Sequence, residues 1–288
     1  MTNPLENFYR SKEIYIKLPS GGRWYKQKPQ LVNGELGIYP MTTKDEMLLQ
    51  IPDSLYNGES LFELIKSVAP DIPDPYDVTN ADMEVIMLAT RAATYNNKYT
   101  ALATCPKCEN EGMYEIDLLN VLARVDSMDQ NIELEIDNLT FVLKPPTLKV
   151  VNATTLAILE NQRMVQMLAQ QQDEKSVDQK VFQESLAKAT GANLAVLADS
   201  IEYIVTPDGT QVSDYNHILE FLSNTNSSMI KKLGNTTVSL QKNTLQNEFT
   251  FNCEQETCGH EFTSSIEYNP SFFFNDESRL EQWINRSS

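Results

Sequence analysis

Apolar and polar positions first alternate at Glu13-Ile14-Tyr15-Ile16-Lys17-Leu18, which predicts a short strand broken by Pro19-Ser20-Gly21-Gly22. Arg23-Trp24-Tyr25 follows, and Asn33-Gly34 marks a further turn. The period then lengthens. Thr43-x-x-Glu46 has the form of a capping box leading into Met47-Leu48-Leu49, with Pro52 as a stop. Asn57-Gly58 precedes a second helix whose Leu61, Leu64, Ile65 and Val68 share one stripe, ended by Pro70, Pro73 and Pro75. A third helix is predicted over about Asp82 to Tyr95, with Val85, Leu88, Ala89 and Ala92 inward.

Strand patterns return at Thr100–Thr104 and Met113–Asp117, and again at Ile132–Ile136 and Thr140–Leu143 around a turn at Asp137-Asn138. The strict alternation of Ile132-Glu133-Leu134-Glu135-Ile136 implies one buried face, and Lys144-Pro145-Pro146 closes the hairpin. Residues 148–190 read as helical and glutamine-rich, with a hinge or loop over Gln170–Ser176. Gly191 is placed as the C-cap of a helix carrying Val181, Phe182 and Leu186. Leu194 to Val205 fits helix or strand, and Pro207-Asp208-Gly209 is a turn. Ser213 is placed as the cap of a helix holding Ile218, Leu219 and Leu222, and a last helix runs to about Leu245.

The expected fold class is α+β, with helical subdomains around a pair of β-hairpin knuckles and a long insertion between them. Its expected parts are an extended N-terminal arm (1–40), a helical subdomain (41–98), a first knuckle (99–120) and a β-hairpin (121–147). A mostly helical insertion (148–246) and a second knuckle with the C-terminal segment (247–288) complete it.

The chain has 288 residues and is 41% hydrophobic, enough to bury a sizeable core. No apolar run has the length of a membrane span, and Met1–Asn7 has no apolar signal core, so the expectation is a soluble protein that stays where it is made. Forty acidic side chains against 23 basic ones give a net charge of −17, which opposes phosphate backbones and excludes nucleic acid as the expected partner. Residues 1–30 run the other way, with Arg10, Lys12, Lys17, Arg23, Lys26 and Lys28 against Glu6 and Glu13. Such a basic arm can pair with the acidic body or a neighbouring subunit, or stay a solvated tail. Phe8, Tyr9 and Arg10 have no strand pattern, so residues 1–12 are expected to order only on a partner, whereas Trp24 and Tyr25 are expected to fold back on the helical subdomain.

The four cysteines carry the clearest chemistry. They come as Cys105-Pro106-Lys107-Cys108 and Cys253-Glu254-Gln255-Glu256-Thr257-Cys258, each entered and left by strand-like segments. A tight hairpin tip aims two thiolates at one point, and two such tips complete a tetrahedral shell for Zn²⁺, the logic of a zinc ribbon. The second spacing is two residues longer than the first and remains within the ligand range. His260 lies close enough to replace Cys258, giving a Cys₃His shell as the alternative. Gly259 fits a knuckle turn that needs positive φ. Redox chemistry of a C-x-x-C prefers a helix N-terminus, which Cys105 lacks, and two disulfides do not suit a reducing compartment. A closed four-ligand zinc is structural, since a catalytic one keeps an open position.

Catalytic motifs are missing: there is no H-E-x-x-H, G-x-S-x-G, G-x-x-x-x-G-K-[ST] or G-x-G-x-x-G. The two histidines are His260 and His217, the latter on a predicted helix as a surface or packing residue. The expectation is no enzyme. A zinc-ribbon module in nucleic-acid metabolism is the alternative of another class. It should show Lys and Arg around the knuckles, where Glu109, Glu111, Glu254, Glu256 and Glu261 surround Lys107.

Leu18-Pro19-Ser20-Gly21-Gly22-Arg23-Trp24-Tyr25 resembles the opening signature of T-even-type phage baseplate proteins, the family of the hub component and the hub-assembly factor. Tyr39 to Leu49 is similar to its second signature, continued by Pro52–Ser60. The Cys105–Cys108 knuckle after a Thr94-Tyr95 helix end, and the late cysteine pair followed by Phe272-Phe273-Phe274, fit as well. The resemblance covers residues 12–120 closely and the C-terminal third more loosely. It implies a contractile-tailed phage and work in building the baseplate hub, as a subunit in the virion tail or as a chaperone-like factor in the host cytoplasm. Its implied partners are other hub or tail proteins. It carries over no active-site residues.

Overall fold

The structure is a computed structural model that describes residues 4–5, 8–49, 59–128, 132–170, 179–241 and 248–265. Two hydrophobic cores divide the described chain. The first begins with the antiparallel pair β1 (Ile14–Ile16) and β2 (Leu36–Ile38). It continues through α1 (Thr43–Leu49), α2 (Glu59–Val68) and α3 (Asn80–Thr94). The hairpin β3 (Lys98–Thr104) and β4 (Glu111–Asp117) follows, then the short α4 (Leu118–Leu122). Helix α3 is apolar almost all round, with Val85, Ile86, Met87, Leu88 and Ala89 buried, because it is the axis of this core.

The second core is built on a four-stranded antiparallel sheet in the order β5-β6-β7-β8. Its strands are β5 (Ile132–Ile136), β6 (Leu139–Leu143), β7 (Ile201–Val205) and β8 (Gln211–Val212). Between β6 and β7 the chain forms the paired long helices α5 (Leu148–Gln170) and α6 (Gln179–Asp199). Helices α7 (Tyr215–Asn224) and α8 (Ser227–Gln241) follow β8. The end of α6, with α7 and α8, covers Phe141, Leu143, Ile201 and Ile204. Asp137 and Asn138 both have positive φ, as the two-residue turn between β5 and β6 requires. The chain then returns to the first core as the hairpin β9 (Glu248–Asn252) and β10 (Glu261–Ser265). Mixed helices and small antiparallel sheets make the fold α+β. Among the described residues no helix is long and apolar enough to cross a membrane.

The cores are joined by backbone. Asn80 N–H donates to the Pro146 carbonyl (3.1 Å) and Leu148 N–H to that of Val78 (2.8 Å). On the other side Lys144 N–H reaches the Ser200 carbonyl (2.9 Å), and Thr147 N–H and Oγ1 both donate to Asp199.

Several helix ends differ from the sequence reading, each for a local reason. The cap of α1 is Thr42, one residue earlier: Thr42 N–H donates to the Asp45 carboxylate (2.7 Å) and Asp45 N–H returns to Thr42 Oγ1 (3.3 Å). Asp214, not Ser213, caps α7. Thr79 caps α3, which starts at Asn80 rather than Asp82. Gly191 is inside α6, which continues to Asp199. Packing of Leu194, Leu197 and Ala198 on the sheet outweighs the ~1 kcal/mol that a glycine costs a helix. The expected stop at Pro52, the Asn57-Gly58 turn, most of the glutamine-rich loop and Phe272–Phe274 lie outside the described residues.

The N-terminal segment is also corrected. Arg10 donates to the Ser67 carbonyl (2.8 Å), Ser67 Oγ (2.7 Å) and the Pro40 carbonyl, and lies 3.4 Å from Asp45. Lys12 pairs with Asp71, Arg23 with Glu202 and Lys26 with Asp77. Four of the six basic groups therefore neutralise the protein's own acidic side chains, and Arg10 and Lys12 need no partner to be held. Leu5, Phe8 and Tyr9 remain exposed. Trp24 does not fold back on the helical subdomain alone, because its Nε1 donates to Glu202 of β7 (3.2 Å). Tyr25 is buried and donates to Asp82 of α3 (3.0 Å).

Glu84 sits on α3 beside Asn80, and burial pushes its carboxyl from 4.5 up to about 7. The folded state then holds a proton that the unfolded chain has released, so this group's contribution is full below pH 4.5 and is lost as pH rises to about 7. Replacing Glu84 with Gln should stabilise the protein at pH 8 by up to about 3 kcal/mol and change little at pH 4. Melting curves at the two pH values check this, and equal effects at both would remove the burial argument.

Candidate metal centre

Each cysteine pair sits where a hairpin runs out of strand. Thr104↔Glu111 is the last register pair of β3–β4, and Cys105 N–H closes the tip on the Asn110 carbonyl (2.9 Å). Asn252↔Glu261 is the corresponding pair of β9–β10, and Cys253 N–H closes on the His260 carbonyl (2.9 Å). The residue after each second cysteine is left-handed, Glu109 at φ 59° and Gly259 at φ 50°. The tips thus share one design, and the second contains two additional residues. Glycine meets the left-handed requirement at 259 without strain, as its sequence position foretold.

The four Sγ atoms lie within 4.8 Å of one another. Cys105 is 4.0 Å from Cys258 and Cys108 is 3.5 Å from Cys253, far from the ~2.05 Å of a disulfide. Four sulfurs around a tetrahedral ion at ~2.3 Å would stand about 3.8 Å apart, so the spacing fits a single cation. Cys105 and Cys253 are buried, and Cys108 and Cys258 are half-buried. His260 contributes its carbonyl to the tip, and its ring is not among the clustered ligand atoms. His217 is on the exposed face of α7, 3.9 Å from Asp214.

Titration follows from crowding. Burial pushes the Cys105 thiol up, but the N–H groups of Lys107 and Cys108 and the adjacent thiols outweigh it and bring it down to about 7. The Asn110 N–H draws the Cys108 thiol down, whereas burial and the other three thiols more than reverse this and push it up to about 12. Cys253 is raised too: the Gln255 N–H lowers it, and burial with the thiols of Cys105 and Cys258 prevails. The Cys105 thiolate forms readily while Cys108 and Cys253 resist, because negative charges at this spacing repel. A bound cation removes that penalty.

Sequence reasoning missed what presses the tips together. Tyr114 of β4 stacks on Phe251 of β9 with ring centroids 4.6 Å apart, and Phe262 of β10 meets Tyr114 edge-on at 5.8 Å. Alternation within the strands was the available signal, since these rings occupy the inward positions that lead to the cysteines. Gly112 faces Ala103 beneath this stack, and a Cβ there would lie 2.8 Å from the Tyr114 hydroxyl and 2.9 Å from its ring. Gly112→Ala should therefore push the ring off Phe251 and destabilise the protein by about 1–3 kcal/mol. Thermal melting measures the loss, and an unchanged midpoint would show that the ring has room to move.

Fold and site together define the class: an α+β protein whose two distant hairpins bring four thiols to a common metal-sized pocket. The chain belongs to the family described as T4 bacteriophage base plate protein, which it matches over residues 11–274, a span that holds all four cysteines. No curated protein and no solved structure matches it significantly.

Proposed function

We propose that the protein is a structural or chaperone-like assembly component of the baseplate hub of a contractile-tailed phage, held in shape by one structural Zn²⁺. Membership of the base plate family carries the first part. The closed four-thiol cluster carries the second, since soft thiolates at tetrahedral spacing with no open position suit zinc as a staple. The two hairpins form a zinc ribbon split by the segment between Cys108 and Cys253. The protein is not an enzyme in this reading. It works by presenting a rigid surface to other hub or tail proteins, in the virion tail baseplate or in the host cytoplasm during assembly.

The test is genetic and biochemical. Phage lacking the protein should accumulate tail precursors without complete baseplates, and mass spectrometry of purified tails then separates subunit from assembly factor. Normal baseplates without the protein would overturn the proposal. Nothing in the site favours the nucleic-acid alternative: Glu109, Glu111, Glu254, Glu256 and Glu261 are all exposed around the tips. In a shift assay at physiological salt the protein should bind duplex DNA no better than an acidic control, and a salt-dependent sub-micromolar affinity would reverse that judgement.

A further inference from the structure

We propose that Tyr114 is a positioning residue of the metal site, whose hydroxyl donates its proton to the sulfur of a buried cysteine, Cys105 or Cys253, once the thiols are held as thiolates. The inference rests on the zinc reading of the four cysteines. Its own support begins with an orphaned group. Tyr114 is 7% exposed, and its hydroxyl oxygen has no hydrogen-bond partner among the described residues. A buried hydroxyl in that state costs free energy, and native proteins give most such groups an acceptor.

Strand geometry shows where the hydroxyl ends. Residues two apart share one face of a strand. The inward positions of β3 run Ala101, Ala103 and then Cys105, and those of β9 run Phe249, Phe251 and then Cys253. Each stripe thus finishes on the buried cysteine of its hairpin. Tyr114 lies on the inward face of β4 opposite Ala101, and its ring leans toward the tip. The far end of the ring stands over Gly112, where a Cβ would lie 2.8 Å from the hydroxyl, and Gly112 is opposite Ala103. Cys105 is the next inward position. The ring also stacks on Phe251, two residues before Cys253. Since the two tips meet at their sulfurs, the hydroxyl stands beneath both buried cysteines. Burial pushes its phenol up, the nearby Glu254 N–H offsets part of this, and negative charge on Cys253, Glu254 and Cys105 adds to the rise. The group therefore keeps its proton. A thiol sulfur is a weak acceptor for that proton and a thiolate is a strong one. Metal-free protein leaves the hydroxyl unpaired, and the metal-bound state supplies what it lacks. Groups that hold ligands from outside in this way typically contribute about 10–100-fold to metal affinity.

Tyr114→Phe removes the oxygen and keeps the ring that stacks on Phe251. Full-length wild type and variant are titrated with zinc against a competing chelator at neutral pH, and with Co²⁺ read by its thiolate charge-transfer absorption. The variant should bind zinc about 10-fold or more weakly. Its cobalt band should move to longer wavelength, because a hydrogen bond lowers the energy of the sulfur lone pairs that supply the charge. Metal-free variant should melt at or slightly above metal-free wild type, since it no longer buries an unpaired hydroxyl. Equal zinc affinity with an unmoved cobalt band would sink the inference and leave the zinc reading standing. So would a metal-free variant that melts well below the wild type, because the hydroxyl would then serve the fold and not the site. Wild-type protein that binds neither metal would sink the zinc reading, and this inference with it.

Discussion

Cys253→Ser protein will purify with almost no zinc and melt at least about 10 °C below the wild type. On the zinc reading the metal would be a covalent-like tie between β3–β4 and β9–β10, and Cys253 is the buried cysteine of the later hairpin. Structural zinc supplies roughly 10–16 kcal/mol of apparent binding energy at neutral pH, comparable with the whole stability of a domain. Losing one of four thiolates forfeits much of it and leaves the remaining three crowded without a cation. Phe251 and Phe262 are then held against Tyr114 by ring packing alone. Cys105→Ser should behave alike, and His260→Ala should keep the metal because that residue serves the tip through its carbonyl. Elemental analysis with thermal melting reads both effects. Wild-type stability in metal-free Cys253→Ser protein would show that the aromatic interface alone closes the chain, and loss of zinc in His260→Ala would favour the Cys₃His shell.

Asp82→Ala should lower stability by about 3–5 kcal/mol, or roughly 10 °C or more in Tm. Asp82 is fully buried at the start of α3 and is the anchor for the Pro19–Tyr25 turn. Its carboxylate accepts from Ser20 N–H (2.9 Å), Ser20 Oγ (2.5 Å) and Tyr25 OH (3.0 Å). Burial raises the Asp82 carboxyl above its usual range, and the bonds from Ser20, Tyr25 and Thr79 pull it part of the way back. Alanine would leave three buried donors without their acceptor and a void beneath the turn. Asparagine keeps the shape and one carbonyl oxygen, so Asp82→Asn should lose less than half as much. Equal losses for the two variants would mean that volume, and not the donor set, holds the turn.

That knot explains a stretch of sequence whose meaning was hidden. Leu18 to Tyr25 was legible as a strand end and a glycine turn, and Gly21 and Gly22 do have φ of 59° and 74°. The partner of Ser20 and Tyr25 was not legible, because it lies some 60 residues on, inside a helix that reads only as apolar periodicity. Separations of 35 and 57 residues likewise hid the pairing of Arg10 with Asp45 and Ser67, which holds that residue without a partner while Phe8 and Tyr9 stay exposed. Helix ends were misplaced by one or two residues where two adjacent polar residues competed for the cap, as at Thr42 and Thr43 or Ser213 and Asp214.

By itself the sequence determined what depends on neighbours in the chain. The hairpin at 132–143 follows from alternation and an Asp-Asn turn, the long helices from their period, and a candidate metal site from two short cysteine spacings. Only the tertiary structure decided which elements share a core: β7 returns from beyond two helices to pair with β6, and β9–β10 leaves the second core to join the first. It also decided that the four sulfurs meet, since spacing can aim two thiols at a point but cannot say that another pair arrives there. The physical reason is the same throughout. Local pattern fixes backbone conformation through sterics and hydrogen bonds a few residues apart, whereas association of distant segments depends on apolar area, such as the Tyr114–Phe251–Phe262 stack, that no short stretch of sequence contains whole.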